Sequence, residues 1–336
     1  MDIKIGIPRS LFYYKFIPLW KAFFNELGAE VIISDHTNKR ILDDGIKACV
    51  DEACLPVKIF HGHMMNLKDR VDYIFVPRFT SISKREYICP EFGGLPDMVR
   101  HSLNNLPTLI TTEINMRKSD KGAIKAAIET AAVLGADKYA AKAALRSAVT
   151  AYRDFWNQAR CGILPFSGGS ACRSGKSGEP SPQFGTTARM RVAVIGHPYN
   201  IYDPYISMNM LGKLDKYDVD VTTIEMVGDN DIRIQASKLT KPMFWNFGRN
   251  AYGAAVHLAA SGAIDGMICV TSFGCGIDSF VYEFIERKVR REYRIPLITI
   301  TIDEHSGEAG FNTRLEAFID MLHWRRINEN NISASG

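Results

Sequence analysis

Short apolar runs alternate with longer helix-forming stretches in both halves of this 336-residue chain. The apolar runs are IKIGI, EVIIS, DYIFVPRF and TLITTEI in the first half, and RVAVIG, VDVTTIE, DGMICVTS and PLITITIDE in the second. This alternation is typical of parallel sheets that are covered by helices on both faces. The sequence therefore predicts an α/β protein with two Rossmann-like, doubly wound parallel-sheet domains, and Ser10 is expected to cap the first helix.

An alanine-rich stretch separates the two halves. Residues 120–160 are strong helix formers and predict two helices that break near Gly135, whereas Ser167–Thr187 is rich in Gly, Ser and Pro and has no periodicity. We divide the chain into an N-terminal Rossmann-like domain (1–115), a helical connector with a flexible Gly/Ser loop (116–190), a C-terminal Rossmann-like domain (191–327) and a disordered tail (328–336). The sequence leaves open whether the loop is a lid or a linker.

Composition restricts the class of function. The 41 basic residues nearly balance 37 acidic ones, which argues against a nucleic-acid-binding surface. No apolar run approaches the roughly 18 residues that a membrane helix needs, and the first residues have no signal-like pattern, so a cytoplasmic location is expected.

The densest basic run, Glu286–Arg294, predicts a solvated helix face, with a docking patch for an acidic partner as the alternative. An odd number of cysteines, seven, does not suggest a disulfide scaffold.

Three of the cysteines lie in Pro- or Gly-rich turns. Cys54 lies in ACLPVK, Cys89 in YICPEFGGLP and Cys275 in TSFGCGIDS. A cysteine that serves as a small apolar residue prefers the interior of a helix or strand, so these three thiols are better explained as metal ligands. We place Cys54 at the end of a helix and the other two after strands, and we expect a helix N-terminus to lower the pKa of Cys275.

The spacing of these three cysteines favours an iron–sulfur cluster, held between the two domains, over zinc. Structural zinc sites usually have local C-x-x-C pairs and four ligands, which are absent from this set, whereas iron–sulfur clusters accept dispersed cysteines. Cys49 and Cys269 are interpreted as core residues, and Cys161 and Cys172 border the Gly/Ser loop without a clear ligand role. The segments GCGIDS and SACRSGKS each lack a glycine that a nucleotide-binding motif requires, so neither predicts a nucleotide site.

Polar residues also follow the first and last strands of the predicted C-terminal domain. Because the carboxyl ends of parallel strands meet at one edge of a sheet, these residues are expected on the same rim as Cys275. The candidate catalytic residues are His197, Asp303, Glu304, His305 and Glu308. Turn and capping chemistry is the alternative explanation for some of them. His61 and His63, beyond Cys54, either contact the metal or form hydrogen bonds within the fold.

Seven segments together resemble a known family. They are GIPRSLFYYKFIPLWKAFF, CLPVKIFHGHM, DYIFVPRF, ICPEFGGLP, IGHPYNIYDPYIS, TSFGCGIDS and DEHSGEAGFNTRLEAFID. They resemble proteins related to 2-hydroxyacyl-CoA dehydratases and their ATP-dependent activases, and more closely the activase-associated branch of that family. The resemblance extends over nearly the whole chain, except for the helical stretch, the Gly/Ser loop and the tail.

The resemblance implies a [4Fe–4S] cluster on Cys54, Cys89 and Cys275. With three thiolates one iron stays open to substrate, and a bridging sulfide there would instead give a double cubane. The resemblance further implies a lyase or reductase that accepts a low-potential electron from an ATP-dependent activase and acts on an acyl-CoA-like substrate. The chain has no activase ATPase segment, so the activase is expected as a separate partner, and a homodimer is left open.

Two other functions remain as alternatives. One is a non-catalytic electron carrier or adaptor that docks an activase through the basic run around Arg290 and Arg291. The other is a metal-free or zinc-bound ligand-binding protein with two lobes, in which the cysteines are incidental.

Overall fold

The structure is a computed structural model that describes residues 3–163, 165, 166 and 189–334. The loop expected at Ser167–Thr187, with Cys172, lies outside the described residues. Contacts divide the chain into two units, Met1–Asn157 with Lys241–Arg249 and Gln158–Thr240 with Asn250–Gly336. This division groups the alanine-rich helices up to Asn157, expected as a connector, with the first unit.

The first unit contains a four-stranded parallel sheet in the order β2-β1-β3-β5. Its elements are β1 (Lys4–Ile7), α1 (Tyr13–Glu26), β2 (Glu30–Ile33), α2 (Lys39–Ala48), α3 (Leu55–Leu67), β3 (Tyr73–Phe75), β4 (Arg78–Ser81), α4 (Pro90–Ser102), β5 (Thr108–Ile110), β6 (Glu113–Asn115), α5 (Lys121–Val133) and α6 (Lys138–Arg160). The alternation of strands and helices predicted an α/β fold with parallel strands, and this is confirmed.

Two of the predicted strands are each divided in two. The run DYIFVPRF forms β3 and β4, and TLITTEI forms β5 and β6. The second strands, β4 and β6, pair in parallel with each other as a separate two-stranded sheet. Pro77 separates β3 from β4, and a proline has no N–H to donate to a strand ladder. The division matters for the site because β4 carries the chain towards Cys89.

The helices of the first unit begin and end partly where the sequence predicted. Helix α1 has Phe12 as its N-cap without a side-chain cap, so the prediction that Ser10 caps it is wrong; the Ser10 hydroxyl instead donates to the Pro56 carbonyl at 3.3 Å. The predicted break between α5 and α6 at Gly135 is confirmed, with φ of +76°. Helix α6 then packs on α1, where the Trp156 indole donates to the Lys15 carbonyl at 3.1 Å.

The second unit contains a four-stranded parallel sheet in the order β10-β9-β7-β8. Its elements are β7 (Met190–Gly196), α7 (Pro198–Ile201), α8 (Met210–Lys216), β8 (Val219–Thr223), α9 (Asp229–Ala236), α10 (Asn246–Ala260, of which Asn246–Arg249 belong to the first unit), β9 (Gly266–Ser272), α11 (Gly276–Lys288), β10 (Leu297–Ile302) and α12 (Glu308–Ala334). A short 3-10 turn covers Ile224–Met226, and a π-helical segment, Val289–Tyr293, continues α11.

Helix α12 corrects the prediction of a disordered tail from residue 328, because the helix continues to Ala334. No glycine or proline occurs between Gly310 and Gly336, so the polar end of the chain contains no residue that would stop the helix. Among the described helices, none is long and apolar enough to cross a membrane.

Both sheets contain a point where the strand order reverses, which is the usual place for a ligand-binding crevice in such sheets. In the first sheet this point lies between β1 and β3, and aromatic and apolar side chains fill it. The cavity left there measures only about 20 Å³, and its lining includes Phe12, Trp20, Phe60, Phe75, Phe79 and Phe92. In the second sheet the point lies between β7 and β9, and His197 and Cys275 follow these two strands.

Candidate metal centre

Each of the three candidate cysteines is the N-cap residue of a helix. Cys54 precedes α3, Cys89 precedes α4 and Cys275 precedes α11, and all three have non-helical backbone angles. The prediction that Cys54 ends a helix is wrong, since α2 stops at Ala48 and α3 begins directly after Cys54. Pro56 and Pro90 fall in the first turns of their helices, where proline is favoured because its missing N–H is not needed.

The donor set fits an iron–sulfur cluster. None of Cys54, Cys89 and Cys275 is in a disulfide, and each is half-buried. An N-cap side chain lies next to the N–H groups of the first helical turn, which have no partner within the helix and carry partial positive charge. Such positions suit an anionic group, as bound anions at helix N-termini show. Cys54 and Cys89 lie in the first unit and Cys275 in the second, and their sharing of one cluster stays a prediction.

Cys275 lies beside a histidine and an aspartate. One ligand atom each from His197, Cys275 and Asp278 lie within 4.8 Å of one another. His197 is the N-cap of α7 directly after β7, and its Nε2 lies 2.9 Å from Asp278 Oδ1. The Tyr199 ring stacks on the imidazole, with centroids 4.9 Å apart and planes at 18°. His197 and Asp278 are both buried, so this pair is closed off from solvent.

Burial and charge act in opposite directions in this group. Burial lowers the pKa of His197, but the Asp278 carboxylate and hydrogen bonds to Asp278 and Cys275 outweigh it and raise that pKa to about 10. Burial raises the pKa of the Cys275 thiol, while the hydrogen bond with His197 and the positive charge of the imidazole lower this pKa. Burial dominates, so the pKa of Cys275 is raised overall, although the backbone N–H of Asp278 in the first turn of α11 lowers it, in the direction expected for a helix N-terminus.

Two buried polar atoms next to this group lack a hydrogen-bond partner among the described residues. They are Asp278 Oδ2 and Asn200 Nδ2, and both side chains are almost completely buried. The other side of the Asn200 amide is occupied, because Ser272 donates to its Oδ1 at 2.9 Å. Buried polar groups are usually satisfied, so unpaired atoms of opposite hydrogen-bonding character favour a ligand or water at this point.

The segment before Cys89 is clamped by a distant part of the chain within the first unit. Tyr87 N–H donates to the Phe244 carbonyl at 2.8 Å, and Asn246 N–H donates to the Tyr87 carbonyl at 2.9 Å. Glu86 forms a buried ion pair with Arg249, whose Nε lies 2.5 Å from Glu86 Oε1. Asn246 Nδ2 also donates to Glu86 Oε2 at 2.7 Å. These contacts fix the backbone two to three residues before the thiol.

Close helix packing fixes the chain on both sides of Cys54. A Cβ added at Gly62 of α3 would lie 1.8 Å from the Ile41 carbonyl oxygen, and one added at Gly45 of α2 would lie 2.0 Å from the Lys58 carbonyl oxygen. Helices α2 and α3 thus approach backbone to backbone, which only glycine permits at both positions. The turn that carries Cys54 joins these two helices.

The two histidines after Cys54 have partners within the fold. His63 is fully buried, with Nδ1 2.9 Å from Ser34 Oγ and Nε2 3.1 Å from Thr37 Oγ1. Its pKa falls to about 3, chiefly because burial disfavours the charged form. His61 Nδ1 lies 2.8 Å from the Val57 carbonyl oxygen, and burial lowers its pKa as well. Of the two explanations left open, hydrogen bonding within the fold accounts for His63.

The candidate catalytic residues after β10 are engaged in local structure. Asp303 Oδ1 accepts from the His305 N–H at 2.8 Å and from Ser306 Oγ at 2.9 Å, which is turn chemistry. Glu308 begins α12 and pairs with Lys213 at 2.7 Å, and the hydrogen bond from this lysine lowers the pKa of the carboxyl. Glu304 is half-buried and His305 exposed. Catalytic roles for these residues and for His197 stay predictions.

The remaining described cysteines differ from the three at helix starts. Cys269 is fully buried in β9, as expected for a core residue, and burial strongly raises its pKa. Cys49 is the C-cap of α2 and only half-buried, so its interpretation as a core residue is wrong. Cys161 is exposed after α6.

Sequence reasoning missed Asp278, Tyr199 and the Glu86–Arg249 pair. A local signal existed for Asp278, because an acidic residue three positions after an N-cap is a common helix-start pattern. No local pattern links Glu86 to Arg249, which are 163 residues apart in the chain.

These observations define an α/β protein with thiols at three helix N-termini. Two families match the chain. Residues 4–227 match the CoA enzyme activase uncharacterised domain (DUF2229), and residues 233–322 match the D-component of 2-hydroxyglutaryl-CoA dehydratase. Cys54 and Cys89 fall in the first match and Cys275 in the second. No curated protein matched the chain.

The first match alone covers more than half of the chain. The chain therefore belongs to the family of proteins related to 2-hydroxyacyl-CoA dehydratases and their activases, as its sequence segments predicted.

Proposed function

We propose that this chain, built of two Rossmann-like units, is an iron–sulfur protein that accepts a low-potential electron from an ATP-dependent activase. We favour a lyase activity, in which the chain uses this electron to dehydrate a 2-hydroxyacyl-CoA-like substrate to the 2-enoyl product. The observation that carries the proposal is that Cys54, Cys89 and Cys275 each place a half-buried thiol at the start of a helix.

In this proposal the three cysteines hold a [4Fe–4S] cluster. A cluster with three thiolate ligands supplies one-electron redox chemistry and an open iron that acts as a Lewis acid toward a substrate oxygen. The chain's own part is to hold the thiols rigidly. The close approach of α2 and α3 at Gly45 and Gly62 fixes the turn of Cys54, the Glu86–Arg249 pair fixes the segment of Cys89, and strand β9 with α11 fixes Cys275.

Polar groups in α7 and in the first turn of α11 support a substrate beside Cys275. Asn200 Nδ2 is a buried donor, and Asp278 Oδ2 is a buried acceptor, and neither has a partner among the described residues. A thioester carbonyl and a hydroxyl group offer the acceptor and the donor that these atoms lack. The reversal of strand order between β7 and β9 is also where open α/β sheets usually bind ligands.

The experiment is anaerobic reduction of the chain by its activase with ATP, followed by addition of 2-hydroxyacyl-CoA thioesters. The proposal predicts an electron paramagnetic resonance signal that needs ATP and changes on addition of a thioester, with the 2-enoyl product found by mass spectrometry. A cluster that is reduced but responds to no thioester, and is coordinated at all four irons by protein, would contradict a catalytic role.

Exposed aromatic side chains next to Cys275 favour a second candidate function, an electron carrier or adaptor that docks an activase. Phe273 is 68% exposed, Phe280 65% and Phe284 43%, and the Phe280 and Phe284 rings contact each other with centroids 4.7 Å apart. Exposed apolar clusters of this kind mark interaction surfaces. The basic run is less suited than expected, because Arg290 is held by Glu286 at 2.9 Å and by the Leu297 carbonyl at 2.9 Å.

This candidate is tested by affinity for the activase. Phe280→Ser should weaken the complex, whereas charge reversal at Arg291 should matter only if the basic run takes part. An unchanged affinity in both variants would remove this surface from consideration, and turnover of a thioester would favour the enzyme over the carrier.

A further inference from the structure

We infer that His197 raises the reduction potential of the cluster by donating a hydrogen bond to the sulfur of Cys275, and that Asp278 holds the imidazole in the donating orientation. The inference rests on the proposed function, because it takes Cys275 as a ligand of the cluster. It assigns His197 as a positioning and tuning residue rather than as a catalytic acid or base.

The strands of the second sheet place the two residues side by side. Strands β7 and β9 pair in parallel, with Gly196 opposite Val270. His197 follows β7 directly, and Cys275 follows β9 after a short turn in which Cys275 N–H donates to the Ser272 carbonyl at 3.1 Å. Both residues are N-caps, so their side chains leave from rigid points of the fold and not from long loops.

Asp278 and Tyr199 fix the imidazole ring. Asp278 is the third residue of α11, where an acidic side chain commonly turns back to the N-cap of its own helix. Here it instead reaches across to His197, with 2.9 Å between Oδ1 and Nε2, while Tyr199 stacks on the face of the ring. A histidine that is held by a carboxylate on one edge has its other hydrogen-bonding atom oriented, as in many metal sites.

A hydrogen bond to a ligand sulfur favours the reduced cluster. Reduction adds negative charge to the cluster, and a donor that points at sulfur stabilises this charge, so the potential rises. The effect is strengthened by burial, because His197 and Asp278 are only 7% and 1% exposed and water competes little for the bond. Loss of the donor should therefore make the cluster harder to reduce.

The test compares the midpoint potential of the whole chain, with its cluster, in the wild type, His197→Gln and His197→Asn. Glutamine places an amide nitrogen near the position of Nε2 and asparagine near that of Nδ1, so at least one variant loses the donor to sulfur. His323→Gln is the matched control, since His323 is exposed on α12. Potentials are read by redox titration with electron paramagnetic resonance, and iron content and circular dichroism are measured on the same samples.

We expect at least one His197 variant to keep its iron and to shift the reduction equilibrium about tenfold toward the oxidised form, which equals ~59 mV for one electron. The control should keep the wild-type potential. Variants that hold the cluster at the wild-type potential would overturn the inference while leaving the proposed function intact. If the His197 variants do not fold even in their metal-free form, His197 has a structural role, and this result also overturns the inference. A wild type without iron would instead refute the proposed function itself.

Discussion

Acidification should destabilise the first unit through one buried histidine. His63 is fully buried, both ring nitrogens lie within hydrogen-bond distance of hydroxyl groups, and its pKa falls from the usual 6.5 to about 3. The unfolded chain binds a proton on this side chain below pH 6.5, while the folded chain does not until about pH 3. His63 therefore contributes stability above pH 6.5 that is lost as the pH falls from 6.5 towards 3.

The magnitude follows from the two pKa values. One pH unit below the unfolded pKa, the unfolded state gains about 1.4 kcal/mol from protonation of His63, since each further pH unit is worth ~1.36 kcal/mol. Between pH 7.5 and 5.5 the free energy of unfolding should thus fall by about 1.4 kcal/mol through this residue alone. The folded pKa lies so far below this range that its value does not affect the result.

The assay is urea unfolding of the metal-free chain at pH 7.5 and 5.5, followed by tryptophan fluorescence. Trp20, Trp156 and Trp245 belong to the first unit, so the signal reports mainly on it. His63→Gln should unfold with a pH dependence about 1.4 kcal/mol smaller than that of the wild type. His36→Gln, which changes an exposed histidine in the loop next to Thr37, is the control and should follow the wild type. Equal pH dependence in wild type and His63→Gln would refute the reasoning.

Two further predictions concern the segments that carry the cysteines of the first unit. Gly62→Ala should destabilise the first unit by about 1–3 kcal/mol or more in urea unfolding, because its Cβ meets a carbonyl oxygen. Gly94→Ala, also in a helix but with no atom closer than 3.9 Å, should be neutral or slightly stabilising, and equal effects of the two would contradict the packing argument. Glu86→Gln should cost about 3–5 kcal/mol because it leaves Arg249 buried without its charge partner, whereas Glu283→Gln, at an exposed pair, should cost under about 1 kcal/mol. A Glu86→Gln variant with wild-type unfolding and wild-type alkylation of Cys89 would show that this pair does not fix the Cys89 segment.

The sequence predicted the class of fold because the strands of the two four-stranded sheets coincide with the short apolar runs, and helix-forming stretches separate these runs. It also predicted the break at Gly135, since a glycine there allows the positive φ of the turn. The prediction failed where one apolar run contributes strands to two different sheets. DYIFVPRF shows a continuous strand pattern, and only pairing with a distant segment decides that β3 and β4 separate.

For the site, the sequence identified the three cysteines but not the reason for their positions. Cys54 was assigned to the end of a helix, and α4 after Cys89 was not predicted, although proline in the first turn is a helix-start signal at both. The Glu86–Arg249 pair and the stacking of Tyr199 on His197 depend on tertiary contacts, which no local pattern encodes.

The most direct measurement is the iron and acid-labile sulfide content of chain prepared without oxygen, for wild type, Cys275→Ala and Cys161→Ala. Cys161 is exposed and lies outside the three helix starts, so it is the matched control. The proposal predicts about four irons with as many sulfides per wild-type chain, retained in Cys161→Ala and lost or degraded in Cys275→Ala. About eight irons would indicate a double cubane. Wild-type chain that binds zinc or no metal, or Cys275→Ala with an intact cluster, would contradict the account.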